Sequence, residues 1–370
     1  MLEIVWMLFA CSTAVLSLLY FLFSIVFFIY KKPDSEKFNQ KNGVSVVICS
    51  KNEFNNLQSN LEYFLHQDYV DFEVIVVDDR STDDTYDYLL KLKETEKKLR
   101  IVHIEETPDH INNKKYAITL GIKASKYDII LLSDADCQPA GYQWIKGMAT
   151  PFANDQTELV LGYSQYTKTP GLLNAFIRYE TLWTGVQYLG LALLGKPYMG
   201  VGRNLAYRKS LFLDNNGFGR YKHIVGGDDD LFVKEHAKKT NTTVVISPET
   251  IIFSKPKQKW GDFIIQKQRH LSVGKLYSIS DKILLGLVFL AKIMMIASFV
   301  AVILSGIWPI ISISMLISTY LLFLATLLLL KNKTGDNTNI WWFPFLDIMY
   351  IFYYLIMGLK VMFAKKIKWK

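Results

Sequence analysis

Ile129-Ile130-Leu131-Leu132-Ser133-Asp134-Ala135-Asp136 is an apolar run that ends in two carboxylates one residue apart. A short apolar run with a polar end reads as a buried strand, and open α/β sheets take their ligands at the carboxyl ends of such strands. Hard divalent cations such as Mg2+ or Mn2+ prefer oxygen ligands, and Mg2+ commonly takes one or two carboxylates together with substrate phosphates. An Asp-x-Asp pair is also an ordinary surface turn. Its weight depends on what surrounds it.

Toward the N-terminus, strand and helix signals alternate. Residues 44–49 form a β-branched strand, followed by a polar turn over 50–56 and helix-like sequence to about Gln67. A second strand over 72–77 runs into Asp78-Asp79-Arg80-Ser81-Thr82-Asp83, and residues 84–99 carry Tyr88, Leu89, Leu92 and Leu99 at helical spacing. Residues 100–104 read as a third strand, 114–124 as a helix and 127–133 as the fourth strand. This alternation predicts an α/β fold with a mostly parallel sheet and flanking crossover helices. The first, second and fourth strands each deliver polar residues at their carboxyl ends, the arrangement of a nucleotide crevice.

The ends of the chain are different in character. Hydrophobic residues make up 51% of the 370 positions and concentrate at both ends, which points to membrane insertion. Residues 4–30 carry no charge and are long enough to cross a hydrocarbon core of about 30 Å. A cleaved signal peptide needs a positive start and a small-residue cleavage site. Here Glu3 precedes the run and Lys31-Lys32 follow it, so a retained anchor over 1–31 is expected. The positive-inside bias then places the chain after Lys31 in the cytosol. Cys11, Cys49 and Cys137 form no paired framework and no zinc spacing, in keeping with a reducing compartment. The net charge of +8 gathers in 234–239, 255–259 and 365–370, positions better suited to anionic lipid headgroups than to nucleic acid, which is not expected as a partner.

After Gly141 the pattern is less regular. Residues 182–194 are almost wholly apolar and read as a core helix or as a helix at the membrane interface. Residues 255–282 mix Trp260, Phe263, Ile264 and Ile265 with basic residues, as a helix lying on a membrane does. Residues 283–305 and 308–330 form an expected membrane hairpin, split by Gly306 and Pro309. A last stretch, 340–364, contains Asp347 and Lys360. One anchor, a hairpin and a final span leave the basic tail outside, against the charge bias, so both a re-entrant last segment and a failure of the bias for a late segment stay open. The expected division is therefore an anchor over 1–31, a catalytic α/β domain over 43–254, an interfacial region over 255–282 and a membrane region over 283–364.

Four groups bear on chemistry. Asp78-Asp79 follow the second strand and suit a base or ribose, or else cap the next helix, although Ser81, Thr82 and Asp83 are equally able to cap it. Asp134 and Asp136 have Lys114 and Lys115 upstream, which are either diphosphate contacts or a solvated helix end. Gly226-Gly227-Asp228-Asp229-Asp230 crowds three carboxylates, which raises at least one pKa and suits a general base, unless the turn is merely exposed. Gln266-x-x-Arg269-His270 offers an Arg able to grip a diphosphate, or a lipid contact.

In this order, with an anchor before and a hairpin after, these groups resemble the membrane-embedded inverting glycosyltransferases of family 2, which include cellulose, chitin and hyaluronan synthases and ceramide glucosyltransferase. The matching pieces are SVVICSKNE (45–53), VVDDRSTDDT (76–85), NKKYAITLGI (113–122), LLSDAD (131–136), GVGRNLAYRKSL (200–211), GDDDLF (227–232) and QKQRH (266–270). The resemblance implies a nucleotide-diphospho-sugar transferase fold of the GT-A type and a divalent metal, Mg2+ or Mn2+. It implies that Asp78 and Asp79 hold the uridine of a UDP-sugar, that Asp136 binds the metal with Asp134 as its nucleotide-side partner, and that Lys114 contacts the donor. It makes Asp228 the general base, by its spacing to Leu231. Gly227 stands where the family has Glu, so Asp229 remains a second candidate. Gln266 and Arg269 fall at the diphosphate, and Arg203, Asn204 and His270 in the acceptor region. His270 replaces a Trp that packs at the acceptor mouth, which leaves acceptor type and processivity open.

The leading expectation is transfer of one sugar from a UDP-sugar to a lipid or other membrane-bound acceptor. A processive polysaccharide synthase is the enzyme alternative, and a catalytically silent nucleotide-sugar-binding scaffold is the non-enzyme one. A nucleotidyltransferase finds no Gly-rich phosphate loop here. Sugar, acceptor hydroxyl and oligomeric state are not encoded legibly.

Overall fold

A computed structural model describes residues 2–33 and 42–363. Residues 34–41 and the basic tail 365–370 lie outside the described residues. In chain order the elements begin with α1 (Leu2–Ile29), β1 (Val44–Ser50), α2 (Phe54–Leu65), β2 (Phe72–Asp79) and α3 (Thr85–Thr95). They continue with β3 (Leu99–Ile104), α4 (Asn113–Ala124), β4 (Ile129–Asp134), β5 (Cys137–Pro139), α5 (Trp144–Ala149), β6 (Leu159–Leu161) and β7 (Ser164–Tyr166). Next come α6 (Leu172–Leu193), β8 (Leu205–Arg208), α7 (Lys209–Asp214), α8 (Asp230–His236), β9 (Thr242–Val244) and β10 (Ile252–Ser254). The last four are α9 (Trp260–Val273), α10 (Ile279–Ser305), α11 (Pro309–Thr334) and α12 (Phe343–Phe363).

The chain divides into two compact units. One comprises Lys31–Thr169 and Leu191–Lys257, and the other comprises Met1–Tyr30, Pro170–Gly190 and the chain from Gln258 onward. The first is an α/β unit built on a seven-stranded sheet of order β3-β2-β1-β4-β8-β6-β9. It is parallel across β3, β2, β1 and β4 and again between β6 and β9, and antiparallel on either side of β8. Strands β1, β2 and β4 are buried along nearly their whole length, as β-branched and apolar runs between helical layers must be. Gly121 brings α4 close to the sheet, because a Cβ there lies 2.5 Å from Val47 Cγ1. A small second sheet, β5-β10-β7, follows directly on the Asp-x-Asp turn.

In register, Ser50 lies beside Asp78 and Cys49 beside Asp134, so the carboxyl ends of β1, β2 and β4 finish together. The strand pattern places the expected nucleotide crevice at this shared end.

The second unit is helical. Four of its helices, α1, α10, α11 and α12, are long and apolar enough to cross a membrane. Helix α1 packs on α10 and α11. Its Ser17 and Ser24 hydroxyls lie 2.9 Å and 2.8 Å from those of Thr319 and Thr326, and Tyr20 stacks on Phe323 with centroids 4.7 Å apart. Small polar groups of this kind join membrane helices where no hydrophobic force between them is available. The last stretch forms one continuous helix, and its Asp347 is buried rather than exposed. Lys292 of α10 donates to the carboxylate, and Tyr179 Oη of α6 donates to it at 2.7 Å. Pairing and hydrogen bonding offset part of the cost of burying this carboxylate.

The division into compact units runs across the expected domain over 43–254. Pro170–Gly190, most of α6, belongs to the helical unit. Its buried Arg178 and Glu180 find partners there: Arg178 pairs with Asp336 at 3.3 Å and Glu180 with Lys267 at 2.6 Å.

Candidate active site

The loops after β1 and β2 are latched to each other. Asn52 N donates to Ser81 Oγ at 2.9 Å, Thr82 N to Asn52 Oδ1 at 2.8 Å and Glu53 N to Thr85 Oγ1 at 3.0 Å. Asp83 accepts from Thr85 N and Phe54 N and so takes the turn's hydrogen bonds. Asp78 and Asp79 are thereby released from helix capping. Asp78 Oδ2 lies 2.9 Å from His103 Nδ1 on β3, while Asp78 Oδ1 is buried without a hydrogen-bond partner. Asp79 Oδ1 accepts from Arg80 Nε at 2.8 Å.

Asp134 ends β4, and the ligand atoms of Asp134, Asp136 and Cys137 lie within 4.8 Å of one another. Burial, and then the charge of Asp134, push the Asp136 carboxyl above its ordinary range. A bound cation relieves that repulsion. The Cys137 thiol is held protonated by burial and by Asp136, to which it donates at 3.4 Å. The two carboxylates therefore form a hard oxygen set that fits Mg2+ or Mn2+ better than a thiolate-seeking metal. Arg203, next to this pair, donates to Ser164 Oγ at 2.7 Å and lies over the Tyr166 ring.

Lys114 reaches both acidic groups. Its Nζ lies 3.0 Å from Asp134 Oδ1 and 3.1 Å from Asp228 Oδ2. Burial acts to lower the lysine pKa, but Asp134 and Asp228 outweigh it, and the ammonium stays charged. Lys115, read with Lys114 as either a diphosphate contact or a solvated helix end, turns the other way. It is fully buried and donates to the carbonyls of Ile224, at 2.7 Å, and Gly226.

The three carboxylates after Gly227 are not equivalent. Gly226 and Gly227 adopt φ of 81° and 75°, which glycine alone tolerates without strain. Asp229 caps α8: Oδ1 accepts from Asp230 N at 2.8 Å, and Oδ2 accepts from Gly202 N at 2.7 Å. Burial and then Asp228 push the Asp229 pKa up. Burial pushes Asp228 the same way, but Lys114 and Lys115 outweigh it and hold this carboxyl below its ordinary range. The crowding expected from sequence thus raises the capping acid rather than the acid that touches Lys114.

Asn204 departs from its expected place in an acceptor region. It is fully buried, donates to the carbonyls of Tyr163 and Thr250 at 2.6 Å and 2.8 Å, and accepts from Trp144 Nε1 at 3.0 Å. Its amide holds the scaffold together. Gln266, Arg269 and His270 lie on α9 in the helical unit, where Lys267 binds both oxygens of Glu180 at 2.6 Å and 2.8 Å.

Two residues gain no role from sequence. Glu53 ends the first strand-turn segment, and its carboxyl, which accepts from Asn56 Nδ2 at 2.6 Å, is pushed up by burial and by the charges of Asp136 and Asp134. His103 becomes visible only through the β2–β3 register, which sets it beside Asp78.

Residues 45–213 match the family model described as Glycosyl transferase family 2, and residues 148–357 match Glycosyl transferase family group 2. A poly-beta-1,6-N-acetyl-D-glucosamine synthase of Staphylococcus aureus is 29% identical over 130 residues, 34% of this chain and 30% of that protein. An uncharacterized glycosyltransferase of Haemophilus influenzae is 28% identical over 107 residues, 29% of this chain and 32% of that protein. The chain thus spans about a third of the length of these curated relatives. A mannosyltransferase from Pyrobaculum calidifontis, solved with GDP-Man and Mn2+, shares the fold with a TM-score of 0.63 at 18% identity, covering 99% of this chain and 100% of its own.

Proposed function

Because this chain belongs to glycosyl transferase family 2, we propose that it transfers a sugar from a UDP-sugar to a lipid or other membrane-associated acceptor, with inversion at the anomeric carbon. The observation that carries the reading is the Lys114 bridge, which ties the Asp-x-Asp pair to Asp228 in one half-buried cluster. A divalent cation, Mg2+ or Mn2+, held by Asp136 and Asp134 supplies positive charge against the sugar diphosphate.

Each residue then has one task. Asp78 and Asp79 hold the nucleoside, and Lys114 turns from the carboxylates to the diphosphate when donor enters. Gln266 and Arg269 steady the departing UDP, whose charge a guanidinium meets in bidentate fashion. Asp228 takes the proton from the acceptor hydroxyl as that oxygen attacks the anomeric carbon from the side opposite UDP. Asp229 remains the cap that fixes the start of α8. Arg203 and His270 are assigned to the acceptor. Direct displacement needs no covalent enzyme intermediate. The four apolar helices anchor the protein in a membrane, and Lys31-Lys32 after α1 favour a cytosolic α/β unit.

One observation favours a second reading. The S. aureus relative is a poly-N-acetylglucosamine synthase, so this chain is a candidate for processive polymer synthesis. The test is UDP release by detergent-purified protein with Mn2+, a panel of UDP-sugars with GDP-Man as comparison, and membrane-lipid extract. Lipid-dependent release with one UDP-sugar and a product carrying one added sugar supports the leading reading. A ladder of lengths supports the polymerase, and release from GDP-Man alone replaces the donor assignment. Binding of a nucleotide-sugar with no turnover leaves a silent scaffold.

A further inference from the structure

Lys115 is a fully buried lysine that the reaction scheme leaves unused. Its Nζ donates to the carbonyls of Ile224 and Gly226 and lies 5.7 Å from the centroid of the Tyr221 ring. All three partners precede Asp228 in the loop that carries it. At the start of the same helix, Asn112 N donates to Lys222 O at 2.7 Å, and Asn112 Oδ1 accepts from Lys115 N at 3.4 Å. The first turn of α4 therefore grips residues 222–226 at both ends.

Immediately beyond this grip lies the least constrained backbone of the loop. Gly226 and Gly227, at φ of 81° and 75°, give the chain a choice of directions that any side chain would remove. Asp228 comes next, and its carboxylate meets Lys114, the neighbour of Lys115 on α4. We propose that Lys115 is the positioning residue for Asp228: its ammonium fixes the Gly226 carbonyl, and so fixes the direction in which the glycine pair delivers the base. Adjacent lysines on one helix thus divide the work, Lys114 on the side chain of Asp228 and Lys115 on the backbone before it. A packing role alone does not require a charge, since a methionine fills similar space without the cost of burying an ammonium. The proposal rests on Asp228 being the general base.

The test compares wild type, Lys115→Met, Lys115→Arg and Asp228→Asn in full-length detergent-purified protein, using the UDP-sugar with the highest turnover in the panel. Melting temperature and donor KM are measured beside kcat. A displacement of about 1 Å at a reacting group costs on the order of 100-fold. Lys115→Met is expected to lower kcat about 10- to 100-fold with donor KM within about twofold and melting within a few degrees, and Lys115→Arg to recover part of the loss. If Lys115→Met does not fold, Gly226→Ala strains the same hinge and is expected to give the same split between kcat and KM. A Lys115→Met enzyme with wild-type kcat, or one whose kcat loss is matched by donor KM, overturns the proposal, as does a Gly226→Ala enzyme with wild-type kcat. Asp228→Asn separates the two levels. Full activity in that variant removes the base assignment itself, whereas its inactivity beside an unaffected Lys115→Met removes only the positioning role.

Discussion

Lys114 Nζ lies 3.1 Å from Asp228 Oδ2, and the same ammonium lies 3.0 Å from Asp134 Oδ1. One cation thus bridges the acid assigned to proton removal and the pair assigned to metal. Replacing Lys114 by Met leaves Asp228 buried with Lys115 as its main remaining compensation. The donor also loses a contact to its diphosphate. We predict a fall in kcat/KM for the donor of about 100-fold, since charge-assisted contacts of this kind contribute roughly 1.5–3 kcal/mol. Steady-state kinetics across donor concentration check this.

The same bridge sets a pH dependence. Asp228 acts deprotonated, so activity is present above its pKa and lost as pH falls through it. Burial pushes that pKa up, but Lys114 and Lys115 outweigh burial and hold it below the ordinary range. In kcat/KM, which reports the free enzyme where Lys114 still meets Asp228, the acidic limb at saturating Mn2+ therefore lies below the ordinary aspartate range. In Lys114→Met the limb moves to higher pH, because burial then dominates. A rate profile with Mn2+ saturating at every pH compares the two enzymes, and an unmoved limb contradicts the assignment.

Metal affinity has the opposite weakness. Burial and Asp134 raise the Asp136 pKa, so protons compete with the cation above the ordinary carboxylate range. Mn2+ binding is predicted to weaken as pH falls through that raised pKa, and Asp136→Asn to abolish Mn2+-dependent turnover while melting stays within a few degrees. Calorimetric Mn2+ titrations at several pH values check the first part, and turnover with melting curves the second.

Asp229 is predicted to behave as a structural residue. Asp229→Ala removes the α8 cap and the acceptor for Gly202 N, at a cost of about 0.5–2 kcal/mol for the cap alone. Asp229→Asn keeps an acceptor oxygen and is predicted to retain most activity. Melting curves and turnover of both variants separate a cap from a base.

The helical unit carries its own test. Lys292 and Asp347 are 1% and 2% exposed, and breaking a buried pair by removing one member costs about 3–5 kcal/mol. Lys292→Met alone is predicted to destabilise strongly. The double variant Lys292→Met with Asp347→Asn recovers most of the loss, because no unpaired charge remains. Detergent-solubilised melting of wild type, Lys292→Met, Asp347→Asn and the double variant gives the coupling.

Much of this architecture is legible in the sequence because local pattern and tertiary role coincide. The β-branched runs, the polar residues at their carboxyl ends and the long apolar helices each follow from residue type at a fixed period. The place of α6 does not follow, because an apolar stretch reads alike in a domain core and in a helical bundle. Only the partners of Arg178 and Glu180 decide it. Lys114 and Lys115 look equivalent at a helix start, yet adjacent helical residues face about 100° apart and these two meet different loops. Asn204 shares its motif with acceptor-side residues, while its three scaffold bonds come from segments distant in sequence. His103 carries no local signal at all, since strand register is a property of the pair.

The assignment of Asp228 as the base of a metal-dependent transfer from a UDP-sugar is probed most directly by UDP release. Asp228→Asn is compared with wild type in the presence of Mn2+ and membrane lipid, with donor affinity measured by calorimetry alongside. Turnover is expected to fall about 100- to 10,000-fold, the usual contribution of a general base, with donor affinity close to wild type. Wild-type turnover by Asp228→Asn would contradict the assignment.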